Sequence, residues 1–159
     1  MTQPASDAER RAEIVRDMRE QTRIDERLIE QLVRGFYARI REDSLLGPIF
    51  EARIVDWEPH LQRMCAFWSS VTLASGLYHG QPMRMHLPLP VDARHFDRWL
   101  ALFETTAREL CSADAADYFM ERARLIAQSL ELGIASNHGV LLGKGERFMR
   151  ALADAPESC

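Results

Sequence analysis

Long apolar runs are missing from this sequence. No stretch approaches the ~20 consecutive apolar residues that a membrane span needs. The opening MTQPASDAERR has no apolar segment behind its charges, so a secretory leader is not expected. Cysteine is scarce: Cys65, Cys111 and Cys159 lie far apart and suit neither a disulfide framework nor a zinc pattern. Positive charge is in the minority, with 20 basic against 24 acidic residues and a net charge of −4. Among the basic residues only Lys144 is a lysine. A dedicated nucleic-acid binder normally carries a basic surplus on one face. Neither nucleic acid nor a membrane is therefore expected as a partner, and the expected setting is a reducing cytoplasm. Several catalytic signatures are also absent, among them a Gly-rich phosphate loop, Cys-x-x-Cys, a His-Glu zinc-protease motif and Gly-x-Ser-x-Gly. Asp92-x-x-His95 stands alone, where a di-iron bundle needs two facing carboxylate–histidine pairs.

What is present is helical periodicity. The first 27 residues hold 13 charges of both signs and form a charged extension, helical or mobile, over residues 1–23. From Asp25, a helix-capping residue, Leu28, Ile29, Leu32, Val33, Phe36, Tyr37 and Ile40 recur at helical spacing. Gly47-Pro48 marks a corner with a short turn of helix. A second stripe follows Asp56, through Trp57, His60, Leu61, Met64, Phe67, Trp68 and Val71, and Gly76 and Gly80 are expected to end it. The proline-bracketed stretch 80–90 has room for one or two turns carrying Met83, His86 and Leu87. Asp92 then caps a helix with Phe96, Trp99, Leu100, Phe103, Ala107 and Leu110 on one face. Asp114 is expected to cap another, with Phe119, Ala123, Ile126, Ala127, Leu130 and Ile134. A weaker helical signal surrounds Phe148, Met149 and Leu152. No segment alternates as a strand does. The pattern is all-α, built on four substantial helices between loosely specified ends.

Three stripes each carry one group with a polar tip: Tyr37, His60 and Trp99. Buried, each must find a partner or cost about 1–3 kcal/mol. Converging from three helices, they would line a small apolar pocket with a few donors, as a small-ligand site requires. His86, on its short segment, is placed to reach inward as a metal ligand. Taken singly, each of these residues reads first as ordinary core or surface, and periodicity cannot name a cofactor.

Read in order, the residues resemble the truncated haemoglobins, specifically their third group. The resemblance is carried by Phe36-Tyr37, Asp43-Ser-Leu-Leu-Gly-Pro-Ile-Phe50, His60 with Phe67-Trp68, Tyr78-His-Gly-Gln-Pro-Met83, His86-Leu-Pro-Leu-Pro90 and Trp99-Leu-Ala-Leu-Phe103. It covers residues 24–134, leaving 135–159 as a C-terminal tail. It implies a shortened globin fold, a two-over-two helical sandwich around haem b. Carried over residue by residue, it makes His86 the iron ligand, with His95 the alternative. Tyr37, His60 and Trp99 would line the distal side, and Phe50, Met64, Phe67, Trp68, His95 and Phe96 would contact the cofactor. His79 is expected in solvent, and Arg84 or Arg94 would meet the propionates.

The function so implied is binding of O2, NO and CO at a five- or six-coordinate iron. His60 either donates and gates in the distal pocket or ligates the iron itself. Retention of O2 by the Tyr37 and Trp99 donors suits NO/O2 or peroxide chemistry, NO dioxygenase or peroxidase-like, better than O2 transport. Such turnover needs a separate reductase, because no flavin or nicotinamide motif is present. The rival reading is a cofactor-free helical interaction or regulatory domain in which the same stripes are plain core.

Overall fold

The computed structural model describes residues 3–150. It contains seven helices among those residues and no strand: α1 (Asp7–Thr22), α2 (Glu26–Glu42), α3 (Gly47–Glu51), α4 (Trp57–Leu73), α5 (Pro82–His86), α6 (Ala93–Leu110) and α7 (Ala113–Asn137). This is the all-α architecture that the helical periodicity implies. Helix α2 packs against α4 and α6, and α6 packs along α7, so the two pairs α2/α4 and α6/α7 meet through the α2–α6 contact.

Local chemistry explains where most helices begin. The Asp25 carboxylate accepts from the Leu28 N–H and starts α2. Asp92 does the same for α6, and its own N–H donates to His95 Nδ1, a capping box with histidine in the place usually held by Glu or Gln. The charged segment forms α1 through a Ser6–Glu9 capping box, buries Met18 and Thr22, and docks on α7 and α4.

Three boundaries differ from the expectation. Helix α4 stops at Leu73 with Ala74 as a left-handed C-cap (φ +53°). Gly76 is also left-handed but lies two residues further on, and Gly80 takes no part in the ending. Helix α7 is capped by Ser112, whose hydroxyl accepts from the Ala115 N–H, so Asp114 sits inside the first turn. There its charge faces the positive end of the helix dipole. Phe148 and Met149 lie in irregular chain, not in a helix, and Leu152 is outside the described residues.

The core runs along α2. Ile29, Leu32, Val33, Phe36, Tyr37 and Ile40 are all buried, as their spacing requires. Phe103 is the hub of an aromatic cluster, stacked against both Trp68 (5.0 Å) and Trp99 (5.5 Å). Phe36 meets Phe103 edge-on at 5.2 Å. At the α2–α3 corner, Gly47 lies against the last carbonyls of α2: a Cβ there would stand 2.9 Å from the Arg41 oxygen. That close approach lets Phe50 on α3 reach the Tyr37 ring, 5.8 Å away.

Candidate functional site

Between the two helix pairs lies an apolar cavity of about 900 Å³, closed on one side by α5 and the segment leading to it. That is near the upper end of the range for small-molecule and cofactor sites. All ten residues selected from the sequence line it: Tyr37, Phe50, His60, Met64, Phe67, Trp68, His86, His95, Phe96 and Trp99. Sequence reasoning passed over several others. Ile126 and Leu130 of α7 were read as plain core, and Arg63 and Met85 belong to no stripe. Nothing local to these residues distinguishes a cavity wall from a core position.

One wall is built by α2, α3 and α4. The Tyr37 and His60 rings meet edge to face at 5.1 Å, and Trp57 packs behind both, at 6.0 and 5.8 Å. Arg41 covers the Trp57 ring at 4.5 Å and is itself paired with Glu51 of α3 at 3.1 Å. Burial holds the Tyr37 phenol well above its usual pKa, so the hydroxyl stays protonated, a neutral donor. Its surroundings offer it no hydrogen-bond partner among the described residues. His60 Nε2 is fully buried and unpartnered, as is the indole Nε1 of Trp57 behind it. Burial first, then the charges of Arg63 and His86, push the His60 pKa down to about 4, which leaves a neutral imidazole at physiological pH. Native interiors seldom leave such groups without partners, and unexplained ones point to a missing ligand or water.

The opposite wall is α5, five residues long, with Pro82 in its first turn where the missing N–H costs nothing. His86 Nδ1 lies 2.6 Å from the Pro82 carbonyl oxygen. A carbonyl only accepts, so the Nδ1 proton is fixed there and Nε2 carries the free lone pair. Burial lowers the His86 pKa, which favours the metal-binding neutral form, and the bond to Pro82 opposes that shift only in part. His95 is engaged differently. Its Nδ1 accepts from the Asp92 N–H at 3.1 Å and lies 3.3 Å from the Asp92 carboxylate. In the neutral ring the proton therefore sits on Nε2, which can donate but offers no lone pair. The imidazole serves the α6 cap and turns its remaining edge to the cavity wall.

Basic groups stand at the rim. Arg63 and Arg84 line the cavity, whereas Arg94 is bound to the buried Asp92 carboxylate through two contacts, at 3.2 and 3.0 Å. His79 is exposed, though it borders the opening.

Comparison with known proteins bears on this geometry. The profile of the bacterial-like globins matches residues 24–129. The group 3 truncated hemoglobin of Campylobacter jejuni is 33% identical over 113 residues, which span 68% of this chain and 89% of that protein. A group 2 truncated hemoglobin of Bacillus subtilis is 32% identical over 100 residues, 60% of this chain and 67% of that one. Among solved structures, the C. jejuni group III truncated hemoglobin superposes with a TM-score of 0.63, covering 67% of this chain and 88% of that one at 33% identity. The truncated oxygen-avid haemoglobin of B. subtilis superposes with a TM-score of 0.62 at 27% identity, over 71% of this chain and 97% of that one.

Proposed function

This chain belongs to the bacterial-like globins, as a truncated haemoglobin of the third group, and on that footing we propose that it holds haem b through His86 and uses it to combine NO with O2. Haem-based binding of diatomic ligands follows from the family; the residue roles and the reaction are the proposal.

The residues present fit the cofactor. The observation that carries the reading is the His86–Pro82 bond at 2.6 Å, which fixes the ring and frees Nε2 on a histidine lining a large apolar cavity. This is the outer-shell arrangement that metal-ligating histidines use. His95, committed to the α6 cap, is the weaker candidate. Phe50, Met64, Phe67, Trp68 and Phe96 supply an apolar envelope, and Arg84 and Arg63 at the rim suit the propionates, with Arg94 already spent on Asp92.

Bound haem supplies an iron at which a diatomic ligand is held and its redox chemistry becomes accessible. The protein then contributes donors and dryness. The Tyr37 hydroxyl, with no protein partner to give up, donates to a ligand on its side of the cavity, and the Trp99 indole N–H is the second donor. His60, neutral and edge-on to Tyr37, completes that wall. Each bond to a charge-bearing ligand atom is worth about 1.5–3 kcal/mol, which favours retention over delivery. Retained O2 suits the conversion of NO, O2 and one electron to nitrate, with the electron drawn from a separate reductase.

The test is an optical spectrum with haem quantified, for the wild-type chain beside His86→Ala and His95→Ala. The reading expects one haem per chain, lost or spectrally altered mainly in the His86 variant. A folded wild-type chain that stays colourless with added hemin would refute it and leave the interaction-domain alternative.

A further inference from the structure

Residues 139–150 run as irregular chain, with a turn over Gly143–Glu146, along the α6–α7 pair and beyond the stretch matched by the globin profile. Their attachment is dense for a segment with no helix of its own. Phe148 is only 4% exposed and packs with Val91, Phe96, Ala127 and Ile134. Its carbonyl accepts from the Ala93 N–H at 2.7 Å. The Arg150 N–H donates to the Asp92 carboxylate at 3.2 Å. Arg147 grips Glu131 of α7 through Nε and Nη2 at 2.9 Å, and its Nη2 also reaches Asp97 of α6 at 2.7 Å. The Glu131 side chain is 8% exposed, so its charge has little water and depends on this guanidinium.

The contacts on α6 converge on its start: Asp92 is the cap, and Ala93 and Asp97 lie within the first turns. Those same turns carry His95 and Phe96 into the cavity wall. Val91, Phe96 and Ala127 line the cavity and belong to the same buried cluster as Phe148, so the segment's anchor shares its packing with the cavity wall.

We propose that residues 139–150 are a retaining strap for the cofactor, with Arg147 as its positioning residue. The Arg147–Glu131 anchor holds the first turns of α6 down, and with them the wall that must part for haem to leave. The inference rests on the haem-binding reading of the cavity.

The experiment uses the full hemin-loaded chain and follows haem transfer to excess apomyoglobin. Arg147→Ala should release haem about tenfold faster, equivalent to about 1.4 kcal/mol. Arg147→Lys should recover part of the difference, because an ammonium meets Glu131 as a point charge but lacks the planar fork. Met18→Ala, which loosens α1 in a buried cluster separate from the one that holds Phe148, serves as a control for general destabilisation and should change release less than twofold. Exchange of the Ala93 amide reports independently on the strap, since its acceptor is the Phe148 carbonyl. Wild-type release rates in a variant whose Ala93 amide exchanges faster would overturn the proposal, as would equal acceleration by Met18→Ala. If Arg147→Ala does not fold, Phe148→Leu tests the same anchorage by the same two readouts. A wild-type chain that takes up no hemin fails earlier, at the haem reading itself.

Discussion

Removing the Tyr37 hydroxyl should move stability and ligand retention in opposite directions. In the folded chain Tyr37 is 6% exposed and borders the cavity, and its hydroxyl bonds to none of the described residues, so folding strips most of its water and returns no protein partner. An unsatisfied buried hydroxyl costs about 1–3 kcal/mol. The group borders a cavity that can admit water, which puts the cost here at the low end, about 1 kcal/mol. Tyr37→Phe keeps the ring and its edge contacts with Phe36, Phe50 and His60. It should therefore raise the unfolding midpoint of the haem-loaded, gas-free protein by about 2–4 °C. The same change deletes a donor to bound ligand, worth about 1.5–3 kcal/mol, so O2 release should accelerate roughly tenfold to a hundredfold. Calorimetry and stopped-flow displacement of O2 measure the two effects on one preparation. A hydroxyl that merely finishes the core would give the reverse: a lower midpoint and an O2 release rate within threefold of wild type. That pair of results would refute the assignment.

Other consequences can be tested alongside. Phe103→Leu removes the ring stacked against both Trp68 and Trp99 and should cost about 2 kcal/mol in chemical denaturation; a loss under about 0.5 kcal/mol would contradict the importance of these contacts. Ala74→Gly relieves a left-handed residue at the end of α4. It should gain about 0.5 kcal/mol net of the extra freedom glycine has in the unfolded chain, and a urea midpoint at or below wild type would count against it. His60 is held near pKa 4 against an ordinary 6.5, so the unfolded chain binds more protons between those values. Its contribution is complete above pH 6.5 and is lost as pH falls through 4, about 1–2 kcal/mol once halved for partial exposure. Unfolding free energies at pH 6.5 and 4.5 should therefore fall further apart in wild type than in His60→Gln, and equal differences would oppose the assignment.

Much of the fold was legible because it is written in local terms. Asp25 and Asp92 are capping residues that do cap, and the six buried positions of α2 are those its period selects. Misreadings arose where two local answers competed or tertiary contacts decided. Ser112 and Asp114 are both good caps two residues apart, and the helix takes the first. Ala74 adopts a conformation that glycine prefers, so the end of α4 carried no signal. Phe148 is buried by residues far away in sequence, which no periodicity reveals. Within the site, tyrosine and histidine on apolar stripes stood out, whereas Ile126 and Leu130 look alike in a cavity wall and in a core. Asp92-x-x-His95 was visible as a spacing, but its use as a capping box emerged only from the backbone N–H that His95 receives.

The chain has three tryptophans, and the fold brings all of them to one place. Trp68 and Trp99 border the cavity, and Trp57 packs against the two rings of its far wall. Intrinsic fluorescence therefore samples this region above all. A haem in the cavity would quench all three indoles by energy transfer, so the emission of the unlabelled protein is a gauge of cofactor occupancy. Its recovery with time would time cofactor departure without any acceptor protein present.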